Sequence, residues 1–221
     1  MTSTHFFITG TDTEVGKTFI SVGLVSLLQQ QGYKTVGMKP IASGCEWLDG
    51  QWKNEDALAL IKQSRTDLAY SLINPYAFEP AIAPHIAAER EGVTLSIAKI
   101  KHKYELIAEQ AEAVIVEGAG GWYVPLNAES TMADLAVELQ LPVILVVAIK
   151  LGCINHALLT VAAIEQQGLK LAGWVANHVA EQSESTEMIE TLTSRIDAPC
   201  LGVVPHLNSH QSAASFLRLP E

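Results

Sequence analysis

Apolar residues in this 221-residue chain fall into short, mostly unbroken runs separated by stretches of helical period. The runs His5–Thr9, Thr35–Lys39, Ala113–Glu117, Val143–Ile149, Leu171–Asn177 and Leu201–Pro205 predict strands. Continuous rather than alternating apolar runs are the pattern of strands buried on both faces. Between them, the spacing predicts helices over Thr18–Gln31, Asn54–Lys62, Ser96–Gln110, Met132–Leu139, Asn155–Gln167 and Ser185–Ile196. Strand and helix alternate, so the expected fold is α/β: a doubly wound, mainly parallel sheet with helices on both faces. No repeat, low-complexity tract or linker interrupts the pattern, and residues 1–221 are read as a single domain. The stretch Ser64–Gly92, with Pro75, Pro80 and Pro84, is irregular and is expected to lie over a site.

Composition narrows the class. The chain is 48% hydrophobic, with mean hydropathy +0.21, as a sheet covered on both faces requires. Its longest apolar run, Val143–Ile149, falls far short of the ~20 residues that span a membrane. The polar lead Met1–His5 runs straight into the first strand, without a signal-peptide pattern. Cys45, Cys153 and Cys200 are widely spaced and odd in number, which points to a reducing cytoplasm. Net charge is −10 with no basic cluster, so neither nucleic acid nor a membrane is the expected partner. An acidic protein with 14 Lys and Arg that binds nucleotide must supply positive charge locally.

The segment Gly10–Thr18, closing on Gly16-Lys17-Thr18, lies between a predicted strand and a predicted helix. That is the setting of a P-loop, in which backbone N–H groups and a helix N-terminus face phosphate and the lysine reaches the β- and γ-phosphates. The Thr18 hydroxyl would then sit on Mg²⁺. The spacing departs from G-x-x-x-x-G-K-[ST]: five residues separate Gly10 from Gly16, and Thr11 stands where the first glycine is usual. The plain alternative is a strand-to-helix turn that contains Gly-Lys-Thr.

In a parallel sheet, ligands bind beyond the carboxyl ends of the strands. Lys39 ends the second strand, ahead of Pro40 and Gly44, with Ser43 a hydrogen-bonding candidate; a surface lysine is the alternative. Glu117 ends the third, where a Mg²⁺-directed carboxylate belongs, and Gly118, Gly120 and Gly121 let backbone approach a ligand. Asp56 lies in a predicted first helical turn, where an acid also serves the helix dipole alone. Lys150 ends the fourth strand, ahead of a loop whose Asn155 is equally a helix cap. Asn177 ends the fifth, with an amide of the kind that pairs with adenine.

These blocks together resemble the dethiobiotin synthetase family. They are Gly10–Thr18, Lys39–Gly44, Glu117–Gly121, Lys150–His156 and Gly173–Asn177, in order over nearly the whole chain, and the five-residue P-loop gap is the family's own. The resemblance implies a P-loop ligase that carboxylates 7,8-diaminopelargonic acid with CO₂ and MgATP and closes its ureido ring. A carbamate and a carbamic–phosphoric anhydride are the implied intermediates. It assigns catalysis to Lys17, Lys39 and Lys150, and Mg²⁺ to Thr18, Asp56 and Glu117. ATP binding falls to Thr13, Glu14, Val15, Gly16, Lys17 and Thr18, to Asp56, and to Glu117, Gly118, Ala119 and Gly120. Asn177 and His178 are assigned to the base, with Pro205, His206 and Leu207 beside it. Substrate contacts are implied for Thr13, Glu14, Ser43 and Gly118, and for Leu151, Gly152, Cys153 and Asn155. That last loop reaches a neighbouring subunit's site, which implies a homodimer.

The C-terminal part departs from the family pattern. His178 follows Asn177 where an acid is common, and no acid stands around His210–Ser212. Relaxed nucleotide selectivity is the expectation. Two other classes share the fold. Partitioning-type switch ATPases often carry an early P-loop lysine, where this chain reads Thr11-Asp12-Thr13, and a terminal amphipathic helix, for which Ser212–Glu221 is too short. Cobyrinic acid amidation enzymes add a glutamine-hydrolysing domain for which the chain has no room.

Overall fold

A computed structural model describes residues 4–180, 185–207 and 212–220. Two of the positions behind the missing-acid expectation, His210 and Gln211, therefore lie outside the described residues. In chain order the strands are β1 (His5–Gly10), β2 (Thr35–Met38), β3 (Ile41–Ser43), β4 (Glu46–Leu48), β5 (Gln51–Lys53), β6 (Tyr76–Phe78), β7 (Ala113–Gly121), β8 (Val143–Ala148), β9 (Leu171–Asn177) and β10 (Cys200–Val204). The helices are α1 (Lys17–Gln30), α2 (Glu55–Ser64), α3 (Tyr70–Ile73), α4 (Pro84–Arg90), α5 (Ile97–Ala108), α6 (Met132–Leu139), α7 (Cys153–Gln166) and α8 (Ser185–Arg195), with a 3₁₀ turn at Ala213–Phe216.

Six strands form one parallel sheet in the order β10-β9-β8-β1-β7-β2. The chain runs outward from β1 first toward β2 and later toward β10, so a crevice opens beyond the carboxyl end of β1. Successive residues of β1 feed opposite faces. Phe7 joins Val114, Val116 and the α5–α6 side, while Phe6 and Ile8 join Leu24, Leu28 and the α1 side. Beyond β1, Leu145 and Trp174 pack against α7 and α8. The expected doubly wound α/β architecture is present.

Differences from the sequence reading are local. Glu117 does not end its strand: β7 runs on to Gly121, which pairs with Gly10 across a bulge in the ladder. The glycines thus extend the sheet edge along the crevice rather than turn away from it. α7 begins at Cys153, two residues before Asn155, and its N-cap is Gly152 in the left-handed region (φ 92°). Asn155 therefore does not cap a helix. Asn54 is the true N-cap of α2, its side chain accepting hydrogen bonds from the backbone N–H groups of Asp56 and Ala57.

The stretch Ser64–Gly92 contains α3, β6 and α4, and none of its residues lines the crevice. Ile73, Tyr76 and Phe78 are instead buried in the core, a burial their apolar surface favours. β4 and β5 make an antiparallel hairpin closed by Asp49-Gly50, both with positive φ. Asp-Gly is the standard signal for such a two-residue turn.

Candidate active site

The crevice at the carboxyl end of β1 holds a cavity of about 440 Å³. Of the residues singled out from sequence, Thr13, Glu14, Gly16, Lys17, Thr18, Lys39, Ser43, Asp56, Glu117, Ala119 and Gly120 line it. They come from four separate segments, brought together because β2, β7 and β1 are adjacent in the sheet.

The loop between β1 and α1 is built to face an anion. Glu14 (φ 59°) and Gly16 (φ 88°) are both left-handed, which curls the backbone around the cavity. A Cβ at Gly16 would run into the Asn177 side-chain amide, whose Nδ2 donates to the Val15 carbonyl (2.9 Å). α1 has no side-chain cap and no acid in its first turn. Its first N–H groups and the positive end of its dipole are thus left for a ligand. Lys17 is buried, and its Nζ donates to the Asp12 carbonyl (2.9 Å). Burial, then the nearby Lys39 charge, pull its pKa from 10.5 down to about 8, against the opposing pull of Glu117, Asp56 and Asp12.

Opposite the loop lies a charge cluster. Lys39 Nζ contacts Glu117 Oε1 at 2.5 Å and Asp56 Oδ2 at 3.1 Å, and reaches the Gly118 carbonyl at 3.3 Å. Thr18 Oγ1 donates to the same Glu117 oxygen (2.7 Å). Glu117 is fully buried, and its other oxygen, Oε2, has no hydrogen-bond partner among the described residues. Burial disfavours the Lys39 ammonium, but Glu117 and Asp56 outweigh it and its pKa is raised. Burial likewise disfavours the Asp56 carboxylate, yet Lys39, Thr18 and Lys17 hold its pKa below the ordinary value. The Lys39 ammonium and the Asp56 carboxylate thus hold each other in the charged form.

Residues not singled out from sequence position this cluster. Asn54 N–H donates to the Tyr70 hydroxyl (2.7 Å), Tyr70 to Asn74 Oδ1 (2.8 Å), and Asn74 Nδ2 to the Lys39 carbonyl (2.6 Å). Lys39 N–H donates to Ile73 O (3.1 Å). The relay ties the start of α2, which carries Asp56, to the backbone of Lys39. Burial pushes the Tyr70 hydroxyl up to about 12, so it stays protonated as the relay needs. Only Asn54, a capping residue ahead of Glu55-Asp56, had a local sequence signal; the rest required the fold. Phe19, Ile41 and Ala42 add apolar wall.

Other candidates lie elsewhere. Lys150 is exposed beyond β8 and does not line the cavity. Leu151 is 98% exposed, and Gly152 opens α7, which has neither a side-chain cap nor an acid in its first turn. The Cys153 side chain turns inward, with Sγ 3.9 Å from the Met188 sulfur, so only its backbone faces the loop surface. Asn177 is buried against the phosphate loop. His178 Nδ1 lies 2.9 Å from the Val204 carbonyl, and Pro205, His206 and Leu207 follow β10 beside it. These five form a separate group at the ends of β9 and β10.

A family model described as an AAA domain matches residues 4–214. An ATP-dependent dethiobiotin synthetase BioD from Aromatoleum aromaticum is 50% identical over 218 residues, 97% of each chain. One from Pseudomonas aeruginosa is 52% identical over 211 residues, 95% of this chain and 92% of that one. Among solved structures, a MinC:MinD cell division protein complex from Aquifex aeolicus superposes with TM-score 0.59 at 15% identity, covering 93% of this chain and 82% of that one. A ParA family ATPase from Chlorobium tepidum gives 0.59 at 14%, covering 92% and 84%. At such identity the structural likeness shows the fold alone. Half-identity over almost the full length shows more: the chain belongs to the ATP-dependent dethiobiotin synthetase family.

Proposed function

We propose that this protein is an ATP-dependent ligase that carboxylates 7,8-diaminopelargonic acid with CO₂ and closes its ureido ring, giving dethiobiotin, ADP and phosphate. The observation that carries the reading is the convergence of Lys17 and Lys39 on one cavity with Thr18, Asp56 and Glu117. A substrate amine captures CO₂ as a carbamate, whose oxygen takes the γ-phosphoryl group. The second amine attacks the resulting mixed anhydride and expels phosphate. No side-chain nucleophile is needed, so catalysis is positioning and charge neutralisation.

Lys17 and the N–H groups of residues 13–18 bind the phosphates. Lys39 neutralises the carbamate and the transferring phosphoryl group, with Gly118, Ala119 and Gly120 providing close backbone approach. Thr13, Glu14 and Ser43 contact the diamine, Glu14 as partner to an ammonium. Thr18, Asp56 and Glu117 are the oxygen donors proposed for Mg²⁺, a hard cation that suits such ligands. The partnerless Oε2 of buried Glu117 supports that assignment. Held by these residues, Mg²⁺ would supply positive charge to offset that of the phosphates. Asn177, His178, Pro205, His206 and Leu207 are proposed for the base.

A homodimer in the cytoplasm is part of the proposal. Tyr123 and Leu159 are exposed and line an open groove beside Thr11 and Asp12, and exposed Leu151 lies at the nearby carboxyl end of β8. Burying them against a second copy would bring Lys150, Leu151, Gly152, Cys153 and Asn155 to a partner's site, where the uncapped α7 N-terminus suits a carboxylate. Among the described residues no helix is long and apolar enough to cross a membrane.

The test is product formation from the diamine, bicarbonate and MgATP, followed by mass spectrometry, and rescue of a biotin auxotroph by the wild type but not by Lys39→Ala. ATP turnover that ignores the diamine and responds to DNA or lipid would overturn the proposal.

A further inference from the structure

We propose that Lys39 is the resident counter-ion of the Asp56–Glu117 pair until Mg²⁺ arrives, and that the metal displaces its ammonium toward the reacting phosphate and carbamate. The inference deepens the functional reading above and rests on its metal assignment. It follows from who touches whom. The donor set that fits Mg²⁺ is Thr18, Asp56 and Glu117, and Lys39 Nζ lies against both carboxylates at 3.1 and 2.5 Å. Two positive centres compete for the same oxygens. Glu117 Oε1 already accepts from both Lys39 and Thr18, while Oε2 has no partner among the described residues. The formal charges of Lys39, Lys17, Asp56 and Glu117 cancel, so the two lysines balance the two acids they face. A fully buried Glu117 without such a partner would be costly.

Adding a divalent cation to that cluster makes two further positive charges, which the bound triphosphate then offsets. The ammonium, repelled by the metal and attracted by the new anions, has a reason to leave the carboxylates at that moment. Its backbone does not have to move, because Asn74 and Ile73 hold the Lys39 carbonyl and N–H. The four-carbon stem supplies the reach. One lysine thus fills two posts in sequence, and the catalytic charge is released only when the metal is in place.

The experiment is titration of Mn²⁺ alone, without nucleotide, into wild type, Lys39→Met and Lys39→Gln, read by electron paramagnetic resonance of free Mn²⁺. Both variants should bind Mn²⁺ at least about tenfold tighter than wild type, since the competing charge is gone. Adding Glu117→Gln to either should abolish the gain. Equal or weaker binding by the variants overturns the proposal. Should neither variant fold, a crystal structure of wild type with MgADP decides the matter. Lys39 Nζ moved off both carboxylates supports the displacement, and Nζ still against both refutes it. Wild-type dethiobiotin formation with no metal gain in the variants sinks this inference alone; a metal gain without wild-type product sinks the functional reading instead.

Discussion

Lys17→Met should make the protein more stable while destroying its phosphate binding. Lys17 is held at about 8 rather than 10.5, chiefly by burial. At about 1.36 kcal/mol per pH unit, keeping it protonated costs the folded state roughly 3 kcal/mol at pH 7. The variant loses the hydrogen bond to Asp12 O, about 1 kcal/mol, and keeps most of the apolar stem. The net expectation is a gain of roughly 2 kcal/mol at pH 7. The sign has a pH signature. A lysine with a depressed folded pKa destabilises fully below that pKa, and the cost fades as pH rises toward the unfolded value of 10.5. The advantage of Lys17→Met should therefore shrink by roughly 1 kcal/mol between pH 7 and pH 9. Urea unfolding of both proteins at the two pH values, without nucleotide, measures this. A destabilised variant at pH 7, or an advantage that grows with pH, would show that burial does not govern Lys17.

The same depressed pKa means that MgADP binding near pH 8 should take up about half a proton per site, because phosphate restores the ammonium, and much less at pH 7. Calorimetry in two buffers of different ionisation enthalpy checks it, with Lys17→Met as the control that takes up none. Gly16→Ala should lose nucleotide binding by about 100-fold or fail to fold, since its φ of 88° and the Asn177 amide both exclude a Cβ; equilibrium binding of a fluorescent ADP analogue reads it. Leu151→Asp should shift a dimer toward monomer in analytical ultracentrifugation and lower turnover, because a 98%-exposed leucine is proposed to be covered by a second copy; an unchanged mass and rate refute that surface. With His178 held on the Val204 carbonyl in place of an acid, turnover with CTP and GTP should fall within about tenfold of that with ATP. A strict ATP preference refutes it.

Much of the site was legible because its signals are local. Lys17 and Thr18 follow an apolar strand and precede a helical period, Glu117 closes a continuous apolar run, and Lys39 directly follows the short run that forms β2. Asn155 and Glu117 show the limit. Whether a residue caps a helix or ends a strand depends on where hydrogen-bond pairing stops, and pairing of β7 with β1 carried that strand four residues beyond Glu117. The region 64–92 was misjudged for a related reason. Its prolines suggested a cover for the site, yet its buried Ile73 and the side chain of Asn74 make it the support beneath Lys39.

By itself, the sequence determined the α/β class, the phosphate loop and which lysines stand just beyond strand ends, because periodicity and strand-end chemistry act over a few residues. The tertiary structure decided that Lys39 touches Asp56 and Glu117 directly and that Thr18 shares a Glu117 oxygen with it, since sheet order, not chain order, sets which segments are neighbours. It likewise decided that Lys150 stands outside the cavity of its own chain, and that Asn177 braces the loop it follows by more than 150 residues. Those are long-range contacts, and burial of both sheet faces is what holds them in register.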